Sequence, residues 1–401
     1  MKNNGIGWSF RWGILLSFLF PAFSDTWAQD RYQAVLQQIE QNSTGLKLAK
    51  EQQKAKELDG ALELFPENPE VGYSHTWGNE QTGGNTQGVT VTQTIDFPTV
   101  YVNKSKLADF KASSAAQRYL VDRMDLLLSA KELCIEMTYY NALVQMYRRQ
   151  VEHARQIADA QQQRKDSGEG NAIEYNKSKL NLLYSENNLK LNIIELDRLH
   201  TELVRLNGGM EINFEDTAFP MVSLPEDFET FYQNAVEIHP FLNYLKQELA
   251  VSQEEVRLNQ SVSLPKISLG YNGQFAGQQN FHGVSVGLSI PLWENHNQVK
   301  KAKAESVAVE YQINDRKVMY YNQLKSSYNQ VVTLQESILA YHEFLNEYSN
   351  SELLYESFQS GELSLLDYLL QIEYYFDIYE KYLMMQKDLA LAHARLTAFE
   401  L

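Results

Sequence analysis

The chain has 401 residues, 44% of them hydrophobic, and a net charge of −16. That length holds two or three ordinary domains or one large repeated structure, and the acidity argues against a nucleic-acid partner, whose phosphates need basic patches. A single cysteine, Cys134, excludes an internal disulfide and a cysteine-built metal site; its expected role is a small apolar filler on a helix.

The N-terminus reads as a signal peptide over residues 1–28. Lys2 and Arg11 flank a polar start, residues 13–20 form a short apolar run, and Thr26-Trp27-Ala28 offers a cleavage site before Gln29. The run is too short to span a bilayer, which takes about 20 apolar residues. No cysteine follows it, so no lipid anchor is expected. In a Gram-negative cell these signals leave the periplasm, the outer membrane or the exterior.

A helix is predicted over about 30–60, ended by Leu64-Phe65-Pro66. Val71, Tyr73, His75 and Trp77 then alternate with small polar residues, the period of a strand. After a Gly-rich loop, Val89, Val91, Gln93, Ile95 and Phe97 alternate with Thr and Asp up to Pro98. Together they predict a hairpin over about 67–97. From about 103 to 165 there is neither Pro nor Gly, and an apolar seam runs from Leu126 through Ala130, Leu133 and Met137 to Ala158 in steps of four and three. That is a coiled-coil helix, a rod of roughly 90 Å at 1.5 Å per residue. A turn at Ser167-Gly168-Glu169 leads to a helix with Tyr175, Leu182, Leu189, Leu196 and Leu203 at every seventh residue, ended by Gly208-Gly209.

The second half repeats this plan. A helix over about 226–259 reaches Leu264-Pro265, and a second hairpin is predicted over about 266–290, with its loop within 272–283 and Pro291 closing it. A second glycine-free rod over about 299–358 reaches Ser360-Gly361-Glu362. The two turns, the two strand-end prolines (Pro98 and Pro291) and the two sevenfold series, the second being Tyr368, Tyr375, Tyr382, Leu389 and Leu396, all share one offset of 193. The chain is therefore read as an internal duplication: a first repeat over 29–208, a linker over 209–225 and a second repeat over 226–401.

Four strands of about ten residues can cross a bilayer when tilted, with one face on lipid and a face rich in Thr, Ser, Gln and Gly on water. The alternative is a soluble hairpin packed on helices. In lipid, four strands cannot stand alone, because unpaired edge groups cost several kcal/mol each. Closure takes about eight or more strands, so two or three chains must contribute. The expected fold is thus a mixed α/β membrane protein: a long antiparallel helical barrel and a transmembrane β-barrel completed by oligomerisation.

The chain resembles the TolC family of outer-membrane efflux proteins. The resemblance is carried by the duplicated hairpin–rod plan, the Pro98 and Pro291 junctions and the tip motifs. Residues 361–369 (Gly-Glu-Leu-Ser-Leu-Leu-Asp-Tyr-Leu) follow the family's Gly-x-x-Ser-x-Leu-Glu/Asp-x-Leu pattern, and 168–176 is a looser copy, with Asn171 and Asn176 replacing the Ser and the last Leu. The resemblance implies a homotrimer with one twelve-stranded barrel, a helical tunnel across the periplasm and tips at its inner end that gate the channel and meet a periplasmic adaptor. It implies an inner-membrane transporter, of resistance-nodulation-division type, that supplies the energy; the chain's size and acidity point toward heavy-metal cations. Tip residues expected to gate or dock are Asp166, Ser167, Gly168, Glu169, Glu174, Ser360, Gly361, Glu362, Ser364 and Asp367. Pro66, Pro98, Pro265 and Pro291 mark barrel–helix junctions, and Trp77 and Trp293 suit membrane interfaces.

No catalytic constellation is visible, and no cofactor or metal site is expected. The eight histidines are scattered, and no phosphate-binding glycine loop is present. The tip acids read either as a cation-favouring ring after oligomerisation or as helix caps. Two other functions fit the same pattern: an exit duct for a secreted polypeptide, and a periplasmic coiled-coil scaffold without a pore.

Overall fold

The computed structural model describes residues 25–79, 84–225, 227–277, 279–291, 293, 295, 297–347 and 351–401. Residues 1–24 of the expected signal segment lie outside them. In chain order the elements are α1 (Asp25–Asn42), α2 (Thr44–Leu62), β1 (Glu70–Thr76), β2 (Thr86–Ile95), α3 (Pro98–Asp166) and α4 (Ala172–Leu206), then α5 (Phe228–Ile238), α6 (Pro240–Val262), β3 (Lys266–Ala276), β4 (Gln279–Ser289), α7 (Gln298–Glu347), α8 (Ser351–Gln359) and α9 (Leu365–Leu396).

Two helices expected to be continuous are divided. The first, over 30–60, breaks at Ser43, where the chain accommodates the end of α4: an added Cβ on Gly208 would lie 2.6 Å from the Asn42 carbonyl oxygen. Asn42 Nδ2 also donates to Asn207 Oδ1 at 3.0 Å. The second, over 226–259, breaks at His239, which precedes Pro240 and is pushed out of the helical region (φ −60°, ψ 118°). His239 Nδ1 then accepts the Phe241 N–H and caps α6. The second rod, predicted over about 299–358, is described as α7 and α8; residues 348–350 lie outside the described set.

The first rod is a single helix of 69 residues with Pro98 in its first turn, about 100 Å long. Proline is favoured there because that turn's N–H has no helical acceptor. The predicted seam is the buried one: Ala130, Met137, Val144, Tyr147, Val151, Ala154 and Ala158 are all inside. On α4, Leu203 of the sevenfold series is buried, but so are Ser178 and Ser185. Their hydroxyls bond back to the carbonyls of Tyr175 and Asn181, so α4 can lie close against α3 without an unpaired polar group. On α9, Tyr368, Tyr382 and Leu396 are buried.

The linker acts as a strap between the two repeats. Ile212 and Phe214 enter a core built from α1, α3, α4 and α9. Val222 and Leu224 pack on a second core formed by α5, α7 and α9. Gln335 Nε2 holds the Val222 carbonyl at 3.1 Å, and Tyr328 donates to the Pro225 carbonyl at 3.1 Å.

The four strands form one antiparallel sheet in the order β1-β2-β3-β4. β2 and β3 join the two repeats, pairing from Thr86↔Ala276 to Ile95↔Ile267. Both strands of the second hairpin extend beyond the predicted pattern, and only residues 277–278 connect them. The register sorts side chains into two unlike faces. One carries the rows Val71-Val91-Tyr271-Val284 and Ile95-Ile267-Leu288. The other carries Glu70-Thr92-Gly270-Ser285, Gly72-Thr90-Asn272-Gly283 and Thr94-Ser268-Gly287. The apolar face has nothing over it: Val284, Val286 and Leu288 are 86, 74 and 69% exposed. Such a sheet is matched to lipid on one side and water on the other. Among the described residues no helix is long and apolar enough to cross a membrane.

Replacing Val286 with Arg should therefore cost about 2–4 kcal/mol of membrane stability and deplete the protein from outer-membrane fractions. Replacing Gln274, on the opposite face, with Lys should leave its abundance there unchanged.

Candidate functional site

The sequence copies at the two tips are also copies in geometry. α3 ends at Asp166 and Gly168 adopts φ +78°; in the second repeat Gly361 adopts φ +80°. At the first turn Ser167 N–H donates to Gln163 O, Gly168 N–H to Lys165 O, and the Glu169 and Gly170 N–H groups to Arg164 O. At the second, Ser360 N–H donates to Glu356 O, Gly361 N–H to Phe358 O, and the Glu362 and Leu363 N–H groups to Ser357 O. Every donor and acceptor is displaced by the same 193 residues. A left-handed residue lets the chain reverse while the last helical carbonyls stay paired, which is why glycine stands at both places.

The next helix starts alike in both copies. Asn171 Oδ1 accepts the Glu174 N–H at 2.9 Å, and Ser364 Oγ accepts the Asp367 N–H at 3.2 Å. Ser364 also donates to Asp367 Oδ2 at 2.6 Å. Glu174 and Asp367 thus lie in the first turns of α4 and α9, where an acid complements the helix dipole. Asp166 accepts two bonds from the Gln162 amide. Glu169 and Glu362 sit exposed at the apices.

The flanks of the two tips differ. Beside the first turn, Lys165 lies 4.5 Å over the Tyr175 ring and Lys179 5.8 Å from it, an attraction between ammonium and ring face. At the equivalent positions of the second, Phe358 stacks on Tyr368 at 5.0 Å. Tyr368 is wholly buried with Ile157, Leu365 and Ile372, and its hydroxyl lies 3.0 Å from the ring nitrogens of His153 on α3. Burial holds His153 below its ordinary pKa and raises that of Tyr368. Residues 351–380 contain no Lys, Arg or His, whereas residues 158–187 contain four Lys or Arg. The His153–Tyr368 contact has no signature in the sequence, because its members are 215 residues apart.

At the other end of the rods, Pro98 opens α3, Pro66 and Pro265 precede β1 and β3, and Pro291 follows β4. The sequence reading missed a charged cluster there: Asp96 pairs with Lys104 at 3.3 Å and with Lys266 at 3.5 Å, and Lys266 also reaches Glu67 at 3.4 Å. Asp96 therefore ties the first repeat to the second at the foot of the sheet. Trp77 and Trp293 are both exposed, one past the end of β1 and the other past the opposite end of the sheet, beyond β4. Among the described residues no His, Cys, Asp and Glu side chains cluster in a way that would hold a metal ion.

Residues 231–399 match the model of the family described as outer membrane efflux protein. Over these residues the chain is similar to that family. The resemblance read from the tip motifs is borne out. Among solved structures, the chain is similar to CusC, with 13% identity, 92% of each chain covered and a TM-score of 0.77. It is similar to the outer-membrane channel OprN, with 12% identity, coverage of 93% of this chain and 91% of that one, and a TM-score of 0.78. It is also similar to the outer membrane protein VceC from Vibrio cholerae, with 13% identity, coverage of 94 and 98%, and a TM-score of 0.74. At such identities the likeness is one of fold. That fold, long helical hairpins below an antiparallel sheet, is the outer-membrane channel fold. No curated protein matches the sequence.

Substituting Gly361 or Gly168 with Ala should destabilise the protein by about 1–2 kcal/mol, the cost of a left-handed L-residue. Gly283, with nothing within 4 Å of an added Cβ, should tolerate Ala with a smaller loss. Denaturant unfolding followed by helical circular dichroism measures all three.

Proposed function

We propose that this chain is the outer-membrane exit duct of a tripartite efflux system and works as a homotrimer. The observation that carries the reading is the sheet: one face apolar, the other polar, and its outer strands β1 and β4 unpaired along one side each. Three copies would supply twelve strands and close those edges, leaving the Thr-, Ser- and Gly-rich face around water. The rods would continue the lumen into the periplasm. Their length agrees with a tunnel rather than a globular core, since an ordinary helix has some 11–12 residues.

In this reading the duct is passive and is not an enzyme. Energy comes from an inner-membrane transporter of the resistance-nodulation-division type, and a periplasmic adaptor meets the Gly168 and Gly361 tips. The exposed Glu169 and Glu362, repeated three times around a narrow mouth, would favour cations. That feature supports metal cations as cargo. The expected signal segment would direct export.

Deleting the gene should raise sensitivity to metal cations or drugs. Unchanged sensitivity across a broad panel would contradict efflux, and a polypeptide stranded in the cell would indicate secretion instead. Replacing Glu169 and Glu362 together with Lys should lower cation selectivity in planar bilayers or weaken adaptor capture while trimers still form. Loss of the trimer would mean that these two acids serve assembly only.

A further inference from the structure

We infer that His153 and Tyr368 form a proton-sensitive latch that ties the first rod to the last helix just above the tip, so that acidification loosens the tip. His153 lies 13 residues before the end of α3, about 20 Å above the turn by helix rise. Tyr368 lies seven residues beyond Gly361. Their contact crosses from the first repeat to the second. Around it, the His153 ring is 5.0 Å from Tyr355 on α8, and Phe358 stacks on Tyr368 at 5.0 Å.

The chemistry follows from the donor inventory. A neutral imidazole has one nitrogen lone pair that can accept the Tyr368 O–H; a protonated imidazole donates from both nitrogens and accepts nothing. Protonation leaves the tyrosine proton without that acceptor and puts a charge on a half-buried ring beside the apolar cluster of Tyr368 with Ile157, Leu365 and Ile372. Both changes are unfavourable in an apolar surround. The titratable groups packed against the ring are Tyr355 from α8 and Tyr368 from α9, with Tyr375 at the edge of the cluster. From α4, Glu186 is engaged by Arg155 at 2.9 Å. Burial alone depresses the histidine, with no charged side chain contributing. The sign is therefore fixed: the latch is fully present above the ordinary histidine pKa of 6.5 and is progressively lost as the pH falls below it.

The duplication sharpens the assignment. Tyr175, the counterpart of Tyr368, is flanked by Lys165 and Lys179, and the residue 193 positions after His153 is Asn346. One hairpin pair carries the latch and the other does not, so acid would act on one side of each subunit. His239 is buried and His393 half-buried, and burial holds both below the ordinary value. They lie by Tyr320 and at the end of α9, away from the tip.

The test is hydrogen–deuterium exchange of residues 353–376 in the assembled protein at about pH 7.5 and about pH 5.5, corrected for intrinsic exchange. Protection should fall up to about tenfold for each pH unit below 6.5 in the native chain. It should stay level in H153Q, which bonds Tyr368 but does not titrate. H153F, which fills the space and carries no proton, should be level as well and carries the test if H153Q does not assemble. Equal protection of the native chain at both pH values, or a response kept in either variant, overturns the latch. Exchange does not require a conducting pore, so its result stands apart from the channel reading. If the protein is a channel, conductance should rise over the same interval; a protein that conducts at neither pH counts against the channel reading alone.

Discussion

Everything in this fold depends on where the backbone groups of β1 and β4 find partners. In hydrocarbon there is no water to satisfy them, so an open sheet is not admissible and closure must come from further strands. The register gives the sheet an apolar face and a hydroxyl-rich face, which fixes which side meets lipid. One chain supplies four strands. The need for further copies, a lumen lined by Thr and Ser, and rods that extend that lumen all follow from this deficit.

The duplication explains how one chain builds both ends. Each repeat supplies a hairpin to the sheet and a helical hairpin to the tunnel, and β2 with β3 forms the seam between them. The seam is reinforced at three levels. Asp96 binds Lys104 and Lys266 at the foot of the sheet. The strap over 209–225 joins the two cores midway. His153 meets Tyr368 near the tips. The backbone hydrogen bonds of the two turns correspond one to one while the flanking side chains differ, lysine over tyrosine at one and a stacked aromatic pair at the other.

Periodicity and glycine placement made most of the architecture legible. The seam from Ala130 to Ala158 and the turns at Gly168 and Gly361 could be read because each depends on local repeats or on a backbone angle that glycine alone takes easily. The breaks at Ser43 and His239 were not read. The first depends on Asn42 meeting Asn207 and Gly208 across the fold. The second had a local cue in Pro240, which directly follows His239. Ser178 and Ser185 escaped because a small polar residue on a helix looks solvated until its hydroxyl is seen bonded to its own backbone. The site was legible as a turn motif; the latch and the Asp96 cluster were not, since their partners are set only by tertiary packing.

The most direct test of the central claim is the native mass of the protein extracted from outer membranes in mild detergent. The account predicts three copies of the chain and no folded monomer, because one sheet cannot satisfy its own edges in lipid. A stable, membrane-inserted single chain would contradict it.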